Sequence, residues 1–157
     1  MLSVEALKAI LDYDGTSGLF TWKETRSSTC KKGQIAGTLN DNGYIIIGAL
    51  GKRYRAHHLA WFYVYGELPQ EIDHINKNKS DNRIDNLRLA TRSQNNINTK
   101  PRKGKYPRGV MKNKNKYTAY IDKNYKRMYL GTYDTISEAK RIRDEKAKEL
   151  YGEFAEI

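Results

Sequence analysis

Residues 69–100 read PQEIDHINKNKSDNRIDNLRLATRSQNNINTK. An Asp-His pair, Asp73-His74, stands near the head of this stretch, followed by a density of asparagines that is costly inside helices and strands. The short amide competes for backbone hydrogen bonds, so such density points to turns, caps or a site. Two readings stand: an ordinary polar loop, or amides positioned for chemistry. The pattern predicts a brief extended piece, EIDHI, a polar loop through Arg83, a second extended piece, NLRLAT, and a short polar helix from near Thr91. On an extended segment Asp73 and His74 project to opposite faces, so carboxylate and imidazole serve different partners. If the chain folds back as strand, loop, strand, helix, the amide oxygen of Asn95 approaches the Asp73 carboxylate. One carboxylate and one amide oxygen, completed by water and phosphate oxygens, suit Mg²⁺ or Mn²⁺. His74 then deprotonates a water, its ordinary pKa leaving a neutral imidazole at working pH. Asn86 fixes the loop and orients that imidazole. By spacing alone, however, an Asp-His dipeptide in a polar loop is more often a surface pair or a turn.

Working outward, the preceding residues supply the apolar mass of a first module. Ser3 caps a short helix with Leu7, Ile10 and Leu11 on its apolar face, ended by the turn-rich DYDGTSG, and LFTW reads as a strand. YIIIGAL and RYRAHH flank Gly51-Lys52 as a hairpin, and HLAWFYVYG is an aromatic-rich helix closed by Gly66. After the quoted stretch, NTKPRKGKYPRG combines two prolines, two glycines and a run of basic residues, which reads as a linker. Beyond it RGVMK, KYTAYID and KRMYLGTYD are strand-like, and TISEAKRIRDEKAKELYG is a helix with a Thr135/Glu138 capping box. Its apolar face is Ile136, Ala139, Ile142, Ala147 and Leu150. The fold class expected is therefore α+β: a module at 1–100 with its core near 70–99, a basic linker at 101–105, and a three-stranded antiparallel sheet with one helix at 106–157.

Charge points to the partner. The 157 residues carry a net charge of +11, of which residues 1–99 supply +3 and residues 100–157 supply +8. An excess of that size favours polyanions, nucleic acid first among them. The single cysteine, Cys30, excludes an internal disulfide and a paired-cysteine zinc site, so any metal has oxygen and nitrogen ligands. No signal-peptide pattern opens the chain, and the longest apolar run, Leu59 to Tyr65, is too short to span a bilayer. A cytoplasmic protein without a membrane partner is the expectation.

The segment from Arg55 to Asn98 resembles the HNH homing-endonuclease family. The residues carrying the likeness are the histidine-led aromatic helix, Asp73-His74, Asn82-Arg83 with Asn86-Leu87, and Thr91-Arg92 with Asn95. The resemblance implies a ββα-metal finger that cuts DNA phosphodiesters with one divalent cation, Mg²⁺ or Mn²⁺. By the same likeness His74 is the general base, Asp73 and Asn95 are metal ligands, and Asn86 is the middle letter of the motif. Two positions depart from the family's usual pattern: His58 stands where arginine is commoner, and the last letter is Asn rather than His. Arg83, Arg88 and Arg92 are candidate phosphate clamps, each equally readable as a solvated surface charge.

The segment from Tyr106 to Ala155 resembles the DNA-binding domain of ethylene-response-factor (Apetala-type) proteins. The likeness lies in Arg108-Gly109-Val110, Lys116 to Ile121, Tyr129 to Thr135 and the helix to GEFA. It implies a sheet in the major groove, with Arg108, Lys112, Lys116, Tyr117, Tyr120, Arg127 and Tyr129 near bases and phosphates. Tyr117, Tyr129 and Tyr120 replace two tryptophans and a glutamate of that family, so sequence preference does not carry over. Residues 100–133 hold 11 basic side chains and one acid, which agrees with a DNA-facing sheet. About half of the tyrosines should instead pack between sheet and helix. Together these readings predict a free-standing homing or phage DNA endonuclease acting on double-stranded DNA as a monomer or homodimer. The rival is a DNA-binding protein whose nuclease site is retired, and an RNA-binding role ranks below both.

Overall fold

A computed structural model describes residues 2–99, 104–124 and 126–155. The chain divides into two compact units, Met1–Leu89 and Ala90–Ile157. The expected linker at 101–105 lies outside the described residues except for Gly104 and Lys105.

The first unit begins with α1, Val4–Ile10, capped by the Ser3 hydroxyl, which accepts from Ala6 N–H. Strands β1, Leu11–Asp14, and β2, Leu19–Trp22, then form an antiparallel hairpin with Tyr13 opposite Phe20. This corrects the expectation that DYDGTSG is wholly a turn. Leu11 and Tyr13 alternate inward with Asp12 and Asp14 outward, so the aspartates mark a strand's wet face. β3, Thr38–Leu39, β4, Ile45–Ala49, and β5, Lys52–Arg55, make a three-stranded sheet in that order. Its hairpin turns on Leu50-Gly51, both left-handed, one residue earlier than the sequence suggested. α2, Ala56–Tyr65, follows directly and ends on Gly66, whose N–H reaches Phe62 O. Leu7, Leu11, Phe20, Ile47, Leu59 and Ala60 form the heart of the core. Against it sit β6, Ile72–His74, and β7, Leu87–Leu89, an antiparallel pair joined through a loop that ends in a 3-10 turn at Ile84–Asn86.

The second unit opens with α3, Arg92–Asn98, started by a capping box between Thr91 and Gln94. Strands β8, Val110–Asn113, β9, Lys116–Lys123, and β10, Lys126–Tyr133, form an antiparallel sheet with β9 central. A bulge lies between Tyr129 and Gly131, because Tyr129 faces Tyr120 and Gly131 faces Ala119. α4, Ile136–Tyr151, packs on the sheet and continues into a 3-10 turn at Gly152–Ala155. Its buried spine is Ala139, Arg143, Ala147 and Tyr151, while Ile136, Ile142 and Leu150 are only half-buried. The expected stripe thus holds at the two alanines and misses an arginine. The small side chains let the helix approach the sheet closely, and Gly109 leaves room for the Arg143 stem: a Cβ there would stand 2.8 Å from Arg143 Cγ and 2.4 Å from Tyr120 O.

α3 is grouped with this second unit, although the sequence reading placed it in the 1–100 module. Ala90 and Ile97 pack against Ile121, Ala147, Tyr151 and Phe154, which gives the short helix its apolar support.

Candidate active site

The asparagine-rich loop between β6 and β7 folds as nested side-chain turns. Asn76 Oδ1 accepts from Asn78 N–H, and Asn78 Oδ1 accepts from the N–H and hydroxyl of Ser80. Asn76 Nδ2 donates to Asp81 Oδ2, and Arg83 closes a two-bond pair on the same carboxylate. Those bonds, the Arg83 pair first, hold the Asp81 pKa down at about 2. Asn86 ties the loop across its base: Nδ2 donates to Asp81 O at 2.8 Å, and Oδ1 accepts from Asn76 N–H at 3.0 Å. Its backbone carbonyl also takes Ile75 N–H. These bonds close the loop at its base, and a different amide lies beside the His74 imidazole.

That amide is Asn82, only 3 % exposed. Its Oδ1 lies 3.4 Å from His74 Nε2, its Nδ2 donates to Ser80 O, and its backbone carbonyl accepts from the Tyr13 hydroxyl at 2.7 Å. Gly18, in the turn between β1 and β2, sits so close that an added Cβ would be 2.4 Å from Arg83 N. Hairpin β1–β2 therefore buttresses the residue that meets His74. Nothing in the spacing of the motif reveals Tyr13, which lies 69 residues from Asn82 in the chain.

His74 itself is buried among rings. His57 meets it edge to face at 4.7 Å between centroids, and Tyr44 lies at 6.2 Å. Burial pushes the His74 pKa below the usual histidine value, opposed by the Asn82 bond and the charges of Asp73 and Asp81. His57 is pushed down to about 2, mainly by burial and then by His74 and His58, and its Nδ1 has no hydrogen-bond partner among the described residues. His58 is shifted the same way by burial. All three imidazoles are neutral at neutral pH.

Asp73, buried beside His74, faces Arg88 directly across the β6–β7 ladder. Arg88 Nε and Nη2 both reach Asp73 Oδ2, at 2.9 and 2.8 Å. A buried carboxylate requires positive charge nearby, and here a guanidinium contributes it. Among the described residues no group of three or more His, Cys, Asp or Glu side chains could hold a metal ion. The donor set at Asp73 is a single hard carboxylate with amides elsewhere in the motif. It suits a cation that keeps several water or phosphate ligands and does not suit a closed structural zinc site. Asn95 is half-buried on α3, in the second unit.

The remaining candidates separate by face. On the sheet's outer side Tyr120 opposes Tyr129 and Asp122 opposes Arg127. Arg127 stacks on the Tyr120 ring at 3.9 Å and pairs with Asp122 at 2.8 Å, while Tyr129 is 67 % exposed. Lys116 pairs with Asp134 at the surface, and Lys112 is exposed opposite Tyr117. Tyr117 turns toward the helix, packed with Val110, Ala119 and Ala139. Arg92 is exposed at the start of α3, and Arg108 donates to carbonyls at that helix's end.

Residues 54–97 match the HNH endonuclease family. The matched segment runs from β5 to α3 and contains Asp73, His74, Asn86 and Asn95. The chain is also similar to an uncharacterized HNH endonuclease of Acanthamoeba polyphaga mimivirus, 36 % identical over 120 residues, 74 % of this chain and 63 % of that protein. The chain thus spans less than two thirds of that relative's length. No solved structure matches it. Among the described residues no helix is long and apolar enough to cross a membrane.

Proposed function

We propose that the chain is a metal-dependent endonuclease of HNH type that hydrolyses phosphodiester bonds in double-stranded DNA, of the free-standing homing or phage kind, working in the cytoplasm of a host cell. The observation that carries the reading is a buried His74, in contact with Asn82 Oδ1 and beside a buried Asp73, inside the segment that matches HNH endonucleases.

His74 is the general base. Asn82 Nδ2 is committed to Ser80 O, so Oδ1 faces His74 and accepts from Nε2. In the tautomer whose Nε2–H donates to Asn82 Oδ1, the lone pair that takes a proton from water is on Nδ1. Asp73 and Asn95 would be the ligands that hold Mg²⁺ or Mn²⁺. Such a cation, when bound, neutralises charge developing on the phosphate and the leaving oxygen. Asn86 keeps the loop closed, and Arg88 stands beside the Asp73 carboxylate, where a phosphate approaching it meets a guanidinium. Arg83 and Arg92 are further phosphate contacts. Lys112, Lys116, Tyr120, Arg127 and Tyr129 are the proposed DNA contacts of an ethylene-response-factor-like module, whereas Tyr117, packed against Val110, Ala119 and Ala139, is left to the core. A single copy nicks one strand, and a homodimer cuts both.

Supercoiled plasmid incubated with the purified chain and Mg²⁺ or Mn²⁺ should become nicked or linear, and a chelator should stop the reaction. His74→Ala should lower the rate by a factor on the order of 10² to 10⁴. Cleavage that persists in chelator, or survives intact in His74→Ala, overturns the reading.

A further inference from the structure

A seven-residue helix is too short to persist in water without support, so α3 depends on what holds it. Its end is grasped by Arg108. Nη1 donates to the carbonyls of Asn96 at 3.2 Å and Ile97 at 2.7 Å, and Nη2 to the carbonyl and hydroxyl of Thr99 at 2.9 and 2.8 Å. The last carbonyls of a helix lack partners within it and gather partial negative charge, so a guanidinium satisfies both needs. Near the helix start, Ser93 Oγ donates to Asn124 Oδ1 at 3.1 Å and accepts from Asn124 N–H at 3.3 Å. Asn124 holds a left-handed conformation between β9 and β10. Between the two ends, Ile97 rests on the Ile121, Tyr151 and Phe154 core.

We infer that Arg108 is a positioning residue for Asn95: together with the Ser93–Asn124 pair it clasps α3 onto the β8–β10 sheet, so the sheet module holds the amide that the cleavage reaction uses. The consequence for cleavage rests on the nuclease reading above; the clasp does not. The phosphate contact that resemblance implies for Arg108 is the competing assignment, since the same guanidinium is committed to α3.

The test uses the full chain as wild type, Arg108→Ala, Arg108→Lys and Ser93→Ala. Amide hydrogen exchange is followed without metal or DNA, Mn²⁺ is titrated into free protein, duplex DNA binding is measured in chelator, and single-turnover cleavage is measured across Mn²⁺ concentrations. Arg108→Ala should speed exchange at residues 95–99 while β9 keeps its protection. The half-saturating Mn²⁺ concentration should rise about tenfold, with cleavage partly restored by excess Mn²⁺. Duplex affinity and its salt dependence should hold. Arg108→Lys should be intermediate, because an ammonium cannot span the same acceptors as a planar fork. If Arg108→Ala loses protection throughout the sheet, the lysine and serine variants decide by the same readouts.

Unchanged exchange at 95–99 overturns the clasp. Unchanged exchange with weaker duplex binding and a salt slope smaller by about one assigns Arg108 to a phosphate instead. A wild type that never cleaves, paired with lost α3 protection in Arg108→Ala, overturns the nuclease reading and supports the clasp.

Discussion

Asn82 separates two roles that the motif by itself merges. The motif's spacing assigns Asn86 both loop and imidazole; in the structure Asn86 closes the loop, and Asn82 meets His74 Nε2. Replacing Asn82 with Asp puts a carboxylate beside the imidazole. That raises the His74 pKa, and on the proposed reading, in which His74 is a base that works only when neutral, the acid limb of the pH–rate profile should move to higher pH. A limb that stays where the wild type has it refutes the contact. His57 supplies a second prediction at this scale. Its folded pKa lies near 2, well below the ordinary histidine value of 6.5. Between those values the unfolded chain binds a proton that the native chain does not, so stability is full above pH 6.5 and falls as pH drops. Lowering pH from 7 to 5 should cost about 2 kcal/mol through this residue, and His57→Phe should remove that part of the acid sensitivity in denaturant titrations. His58 and His74 act with the same sign. A histidine opening an aromatic helix reads in sequence as a packing or capping residue more often than a site residue, and the burial of His57 agrees; its contacts with His58 and with the distant His74 are what only the fold shows.

At the scale of elements, the β1–β2 hairpin supports a site far along the chain. Gly18 and Gly51 both have left-handed φ, +73° and +77°, but only Gly18 faces backbone at clashing distance; nothing lies within 4 Å of a Cβ on Gly51. Gly51→Ala should therefore lose about 1 kcal/mol from backbone strain alone. Gly18→Ala should lose more, and it alone should slow cleavage by displacing the Asn82–Arg83 backbone. Equal stability losses with equal activities would separate the hairpin from the site. Tyr13→Phe, which removes only the bond to Asn82 O, should cost about 1 kcal/mol in thermal or denaturant unfolding. The β6–β7 pair and α3 were readable from residue order, capping residues and the asparagine loop. β1 was not, because two aspartates on a wet face imitate a turn. Arg143 in the spine of α4 was not readable either, since its burial depends on the space over Gly109.

Over the whole molecule, charge is the quantity that sequence fully specifies. A net +11, weighted toward residues 100–157, predicts duplex binding that weakens steeply with salt. Arg127→Ala and Lys112→Ala should each reduce the slope of log affinity against log salt by about 0.9 if each meets a phosphate, as measured by fluorescence anisotropy. An unchanged slope removes that residue from the interface. For Arg127 the structure adds a cost, since its guanidinium already pairs with Asp122 and stacks on Tyr120. What the sequence determined by itself was local and compositional: the polyanion-seeking charge, the element order around Asp73 and His74, the helix caps, and the types of donor available to a cation. These follow from residue chemistry and short-range spacing, which need no knowledge of the rest of the chain. The tertiary structure alone decided which amide touches the imidazole, which hairpin braces that amide, and which unit supports α3. Those are contacts between segments distant in sequence, set by core packing and by the satisfaction of buried polar groups, and no local pattern encodes them.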